Sequence, residues 1–342
     1  VIRRLAGVVL AVCALMALPV LAQAEIPSGP RLTFVEAADS GFKLISSDPG
    51  GGDQQVIVGG NSKSQMLPFP FSPPSWSGDG THITFTGIAL SGKKARLDVY
   101  DSAADGTGVT RLPLTKEGLD PVLSPDGRIV AFTREHRRQQ PKVIFRSASI
   151  WLLDIESGAV KQLTPWRNGL FAFPSSFSPD GSTLAITRER RHRTSAVAVR
   201  LDGSGEMVLA RNASDPVYSP DGTRLALVTL GKRRTIGSKG ETLTYSPTEL
   251  AVAAADGSGL TKLTRTRNLE LLPSWDPSGQ RLAYTMLSPV LGEATALGIG
   301  DSIMEINADG SCRTKVLSLP HSSLYGATWQ PGPGREAGPI AC

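Results

Sequence analysis

Ser124-Pro125-Asp126-Gly127 recurs without change at Ser178-Pro179-Asp180-Gly181 and Ser219-Pro220-Asp221-Gly222, and its reading decides the fold. Blurred copies stand at Ser77-Gly78-Asp79-Gly80, Asp276-Pro277-Ser278-Gly279 and Gln330-Pro331-Gly332. A bulky apolar residue precedes each copy: Trp76, Leu123, Phe177, Tyr218, Trp275 and Trp329, spaced 47, 54, 41, 57 and 54 positions apart. After the first five copies comes a short apolar run such as Ile129-Val130-Ala131-Phe132 or Leu184-Ala185-Ile186. Proline suits the first central position of a type I turn, aspartate tolerates the second, and glycine accepts the positive φ of a bulged hairpin. The motif therefore predicts a hairpin corner, and its recurrence over 40–60 residues predicts a repeat array.

Each repeat reads as four antiparallel strands. In the Ser124 repeat these are Pro121 to Ser124, Arg128 to Thr133, Ile150 to Asp154 and Val160 to Thr164, with a polar loop between the second and third. The turns between third and fourth strands recur as Asp105-Gly106, Asp202-Gly203, Asp256-Gly257 and Asp309-Gly310. No stretch sustains a helical period with caps, so the expected fold is all-β. The copy at Gln330 has a first strand but no return strand, whereas Arg31 to Val35 is a return strand with no turn before it. Pairing the two completes a sixth sheet and closes the array into a ring, the way a β-propeller protects its sheet edges. Six blades are expected, closed by N-terminal strands that complete the last one.

The first residues read separately. Arg3 and Arg4 precede the apolar run Leu5 to Leu21, and Ala22-Gln23-Ala24 supplies a small-x-small cleavage pattern. Residues 1–24 are expected to be a signal peptide, 25–332 the propeller and 333–342 a tail, with no membrane segment after cleavage. Removing the leader lowers the net charge from +5 to +3. Export makes the remaining pair, Cys312 and Cys342, a disulfide candidate. That bond would pin the ten-residue tail, with closure worth on the order of 3 kcal/mol.

The aromatic residue, the Ser-Pro-Asp-Gly turn, the Ile/Leu-Ala-Phe/Tyr strand and the later Asp-Gly and Leu-Thr elements together resemble the TolB-like family of WD40-like, or PD40, β-propeller repeats. The resemblance spans about residues 31–332. It implies a six-bladed propeller and, for function, an envelope binding scaffold like the periplasmic member whose propeller binds Pal and colicins. That member carries an α/β domain before its propeller. Here the repeats begin close to the expected cleavage site, so a stand-alone propeller is expected.

In propeller topology the Ser-Pro-Asp-Gly and Asp-Gly turns share one face, and the loops between second and third strands share the other. The latter are basic: Lys93, Lys94 and Arg96; Arg134, Arg137 and Arg138; Arg188, Arg190, Arg191 and Arg193; Lys232, Arg233 and Arg234. Such a face attracts anionic partners by steering and by guanidinium pairing. The expected activity is thus non-enzymatic binding of a protein or anionic cell-envelope component by a periplasmic or secreted monomer, without cofactor, metal or nucleic acid. The alternative is an extracytoplasmic hydrolase or lactonase working at the channel mouth. Neither His82, His136, His192 nor His321 is paired in sequence with a nucleophile. Gly87 to Lys93 imitates a phosphate loop, but Lys94 replaces the magnesium-binding hydroxyl and no helix follows. The apolar stretch Leu287 to Ile303 reads as a lid, a docking surface or a loop packed on its own blade.

Overall fold

The computed structural model describes residues 28–38, 41–60, 66–69, 72–91, 94–114, 116–140, 143–238, 241–289, 302–319 and 322–342. The expected leader and most of Leu287 to Ile303 lie outside these residues. Among the described residues every regular element is a strand, and no helix is long and apolar enough to cross a membrane.

The Ser-Pro-Asp-Gly corner reverses the chain through a small hydrogen-bond circuit. In the Ser124 copy the Ser124 hydroxyl donates to Asp126 Oδ1 (2.6 Å) and accepts from the Ile129 N–H (2.8 Å). Asp126 Oδ1 also accepts from the Arg128 N–H (3.1 Å), and the Gly127 N–H closes the turn on the Ser124 carbonyl (2.9 Å). The circuit repeats at Ser77, Ser178 and Ser219. The blurred copy at Asp276 exchanges the two roles. Here the acid stands first and accepts from the Arg281 N–H (2.8 Å), while the Ser278 hydroxyl donates to it (2.5 Å). Each circuit satisfies donors that a reversing backbone would otherwise leave open.

Beyond the corners the strands pair largely as the repeats predict. Leu119–Leu123, Ile129–Gln140, Val143–Asp154 and Val160–Gln162 follow one another in antiparallel register. So do Leu170–Phe177, Thr183–Arg190, Arg193–Arg200 and Glu206–Arg211. These two sets join into one eight-stranded sheet through a single parallel bridge, Ala148 to Phe171. The hydrogen-bonded ladders thus do not divide into separate sheets for every repeat. The crossover strand comes close enough to its predecessor to share one bridge.

A second departure lies in the connections. The expected polar loop after Thr133 is a continuation of the ladder, which runs out to Gln140 paired with Val143. Strands His82–Ser91 and Lys94–Ala103 extend in the same way, and Arg234–Ser238 and Glu241–Tyr245 form a separate two-stranded ribbon. Polar sequence here continues the cross-strand ladder rather than interrupting it. Gly87 to Ser91 of the imitation phosphate loop lie in His82–Ser91, so that part of its backbone is extended strand rather than a cradle, and residues 92 and 93 lie outside the described residues.

Successive sheets pack face to face. Val99 and Leu114 meet Leu123 and Phe132; Ile150 meets Phe177 and Ile186; Leu209 meets Leu225; Val228 meets Trp275 and Tyr284. Ile303 meets Phe34 and Trp329, and Val35 meets Trp76 and Phe85, which brings the series back to its start. A sheet covered on both faces has no solvent side. This is why its strands read as continuous apolar runs rather than alternations, each large buried side chain contributing about 1.5–3 kcal/mol.

Ring closure takes the expected form. Leu32–Ala38 pairs antiparallel with Ser322–Trp329, setting Leu32 opposite Trp329 and Ala38 opposite Ser322. Gly80, with φ +69°, lies against this seam. A Cβ there would stand 2.0 Å from the Pro331 carbonyl oxygen, so only glycine fits. Cys312 and Cys342 are disulfide-bonded with Cα atoms 5.1 Å apart. The tail between seam and disulfide is also held by Arg335 Nη1 to the Gly29 carbonyl (2.8 Å) and by the Ile340 N–H to Asn307 Oδ1 (2.6 Å).

Candidate functional site

The ends of the strands opposite the Ser-Pro-Asp-Gly corners carry the basic residues. Thr183 pairs with Arg200 beside the corner, and Arg190 pairs with Arg193 at the far tip. Arg191 and His192 make that tip with φ of +49° and +64°, the positive pair that a two-residue hairpin turn needs. Arg190, Arg191 and Arg193 are exposed there, as are Lys232, Arg233 and Arg234 at the entry to the two-stranded ribbon.

The other expected site residues have different surroundings. Arg188 is partly buried and pairs with Glu206 at 2.5 Å. Arg96 pairs at 2.8 Å with Asp98, a buried carboxylate that also holds Arg111 at 2.8 Å. Arg134 is not on the surface at all. It is 6% exposed and lies over the rings of Phe132 (5.1 Å) and Trp151 (4.5 Å), where burial lowers its pKa. Its guanidinium belongs to the packing. The backbones of Lys94, Arg137 and Arg138 lie in extended ribbons, while their side chains, and all of Lys93, fall outside the described residues.

His136 sits beside this packing and shares 2.8 Å with the Ser149 hydroxyl, which accepts from Trp151 Nε1 at 3.0 Å. Burial, then Lys116 and Arg134, push its pKa down, so the ring is neutral near pH 7. His82 touches Asp101 at 3.1 Å on the surface. Among the described residues no three His, Cys, Asp or Glu side chains stand together as a metal site.

Sequence reasoning placed the first strands but missed what lies between them. They enclose a cavity of about 770 Å³ on which Asp120, Glu189, Asp215 and Tyr325 converge. Asp120 and Asp215 occupy equivalent places, three residues before Leu123 and Tyr218, at irregularities in the first-strand ladder. Both have φ near +50°, a conformation that aspartate adopts more readily than most residues. A threonine of the preceding repeat fixes each. Thr86 Oγ1 accepts the Asp120 N–H at 3.1 Å, and Thr187 Oγ1 accepts the Asp215 N–H at 2.8 Å. The same bond holds Gly326 to Thr285 at 3.1 Å, one residue beyond Tyr325.

Asp120, Asp215 and Tyr325 are half-buried and Glu189 is exposed, and all four line the cavity. Burial pushes Asp120 up to about 6 against the pull of the nearby Ser72 hydroxyl, with Glu135 adding repulsion. Burial also raises Asp215. Tyr325 is raised by burial and then by the charges of Asp215 and Asp120, which places it within electrostatic reach of both. The only sequence signal was an aspartate three places before the bulky residue in two of the repeats.

No family model matches the chain. The Tol-Pal system protein TolB of Anaeromyxobacter dehalogenans strain 2CP-C is 32% identical over 137 residues, 39% of this chain and 28% of that protein. The uncharacterized peptidase YuxL of Bacillus subtilis strain 168 is 29% identical over 156 residues, 42% of this chain and 22% of its own. The match thus spans less than a third of the length of these curated relatives. Among solved structures, TolB from Acinetobacter baumannii superposes with a TM-score of 0.62 at 18% identity, covering 88% of this chain and 67% of that one. The putative TolB from Agrobacterium tumefaciens gives 0.55 at 15% identity, covering 89% and 99%.

Proposed function

We propose that this chain, a TolB-like β-propeller, is a six-bladed binding scaffold that engages a protein or anionic cell-envelope component through the basic hairpin tips of one face. Six hydrophobic clusters, each bridging neighbouring repeats around the ring, support the blade count. The eight-stranded sheet counts as two blades on this reading because one bridge alone joins its halves. Residues 1–24 form a leader for export to a periplasmic or extracellular site, 25–332 the monomeric propeller and 333–342 a strap across the closure. The Arg3-Arg4, apolar-run and Ala22-Gln23-Ala24 pattern supports export, as does likeness to proteins named for the Tol-Pal system.

One observation carries the binding reading. Arg190, Arg191 and Arg193 are exposed at one hairpin tip, and Lys232, Arg233 and Arg234 are exposed at the entry to the ribbon of the next repeat, both at the end away from the structural turns. Exposed cations at projecting tips steer anionic partners and dock by guanidinium–carboxylate or guanidinium–phosphate pairing. Capture from an envelope extract tests this. Retention is expected to fall between 50 mM and 500 mM salt and in an Arg190→Gln, Arg191→Gln, Arg233→Gln, Arg234→Gln variant. Capture insensitive both to salt and to these changes overturns the reading.

The convergence of Asp120, Asp215 and Tyr325 supports the second reading, a hydrolase or lactonase at the channel mouth. An ester and lactone panel separates the two. Turnover abolished by Asp215→Asn but kept in the arginine variant favours the enzyme.

A further inference from the structure

We infer that the central cavity is a binding site for an alkylammonium group, held between Asp120 and Asp215 against the Tyr325 ring. This ligand is of opposite charge to the one the hairpin tips attract, so the inference stands apart from the proposed function.

Three observations carry it. First, the cavity wall holds Asp120, Glu189 and Asp215 but, among the described residues, no lysine or arginine. The chain as a whole has 36 basic and 31 acidic residues, so the wall inverts its balance. Carboxylates deep in a fold are costly unless a cation or hydrogen bonds compensate them. Asp215 accepts from the Ser214 hydroxyl at 3.3 Å, but among the described residues no cation faces Asp120 or Asp215 from the wall.

Second, the wall is aromatic. Trp76, Phe173, Phe177, Trp275, Tyr325 and Trp329 all line it. Trp275 and Trp329 already hold the guanidinium groups of Arg224 and Arg281 over their rings, and an aromatic wall beside carboxylates suits an organic ammonium in the same way, because the ring quadrupole attracts a cation.

Third, two polar groups on the same wall are buried without a partner. Trp76 and Trp329 are 8% and 4% exposed, and their indole N–H groups meet no acceptor among the described residues, whereas Trp275 Nε1 donates to the Val217 carbonyl at 3.0 Å. Along an inner strand these indoles stand at the level of Leu123 and Tyr218, three residues beyond Asp120 and Asp215, a rise of about 10 Å. A ligand with an ammonium at one end and a carbonyl at the other spans that interval, and the indoles, whose N–H groups have no accessible surface as they stand, must rotate to donate to the carbonyl.

The geometry selects an organic cation over a metal ion. The carboxylates approach the cavity from separate repeats, and among the described residues no three potential ligands come within metal-binding distance. The volume of about 770 Å³ suits an extended chain. Such an ammonium comes from a lysine side chain of a partner or from a free linear amine.

The full chain is titrated with Nα-acetyl-lysine N-methylamide, with 1,5-diaminopentane and with calcium chloride, following tryptophan fluorescence and heat. A saturable change with either amine is expected, weakened at least tenfold in an Asp120→Asn, Asp215→Asn double variant whose circular dichroism matches wild type. Tighter binding of the lysine derivative identifies a partner's side chain, and tighter binding of the diamine a free amine. The Arg190→Gln, Arg191→Gln variant is expected to bind as wild type does, which separates failure here from failure of the hairpin-tip reading. The inference is overturned if neither amine saturates, if the Asn double variant binds as tightly as wild type, or if calcium displaces the amine stoichiometrically.

Discussion

Asp120 and Asp126 stand six residues apart at the two ends of one short strand and have opposite environments. Asp126 is exposed and held below the usual carboxylate range by the Ser124 hydroxyl and then the Arg128 N–H. Asp120 is pushed up to about 6 by burial. The contrast recurs between Asp221, held down to about 2 by Ser219 and Thr223, and Asp215, raised by burial. In the corner the fold is built around the carboxylate and gains from its charge. In the cavity the fold tolerates the charge, and such tolerance is a mark of functional rather than structural residues.

The corner's structural role is broken most severely at the ring seam. Gly80→Ala would put a Cβ 2.0 Å from the Pro331 carbonyl, at a φ of +69° that L-residues seldom adopt. The corner must then move off the strand that closes the ring, and a loss of about 3 kcal/mol or more is expected. Urea denaturation checks this. Gly181→Ala is the internal control, since it has φ +70° but no atom near the added Cβ, and it should cost only the backbone share of about 1–2 kcal/mol. Equal losses in the two variants would show that the seam contact does not matter.

Much of this architecture is legible in the sequence because it is local or periodic. The corner circuit lies within six residues, and its recurrence exposes the array. Even the closing pair of strands follows from one repeat lacking what the other terminus supplies. The cysteine pair is readable for a related reason, as it joins a turn of known place to the tail. The cavity is not legible in this way. Asp120, Asp215 and Tyr325 are separated by about a hundred residues each and meet only because first strands line the axis of a ring. Arg134 illustrates the converse error. It belongs to a basic run in sequence, but the run is extended strand, and residue 134 turns inward onto Trp151. Charge counting cannot see which side of a ribbon a residue takes.

The cavity carboxylates yield the next largest effect, with a sign that opposes the corner's. Because burial raises Asp120 above its ordinary value, the folded state holds a proton that the unfolded chain has released between about pH 4 and pH 6. Stability from this group is therefore full below pH 4, declines across that window and stays lower above it. Asp215 is shifted in the same direction. Asp120→Asn removes the decline, keeps a side chain suited to φ +51°, and is expected to raise stability at pH 7.5 by about 2 kcal/mol with little change at pH 4. Denaturation midpoints at the two pH values decide it. A loss at pH 7.5 would mean that the charge is compensated within the protein itself.

The same substitution in the corner gives the smallest effect and the sharpest contrast. Asp126→Asn retains an acceptor for the Ser124 hydroxyl and the Arg128 N–H but gives up the charge that strengthens both bonds. A loss of about 0.5–1 kcal/mol at pH 7 is expected, the difference between a charged and a neutral hydrogen bond at an exposed site. Since the folded-state pKa of Asp126 lies below its unfolded value, the wild-type contribution is present above about pH 4 and disappears as pH falls through the depressed value. The Asn variant should thus approach wild-type stability in acid and fall below it at neutrality. This is the mirror image of Asp120→Asn, which matches wild type in acid and exceeds it at neutrality. Two aspartates on one strand, changed in the same way, should therefore move the pH profile in opposite directions. That result would follow from environment alone, because the residue type, the substitution and the repeat are all held constant.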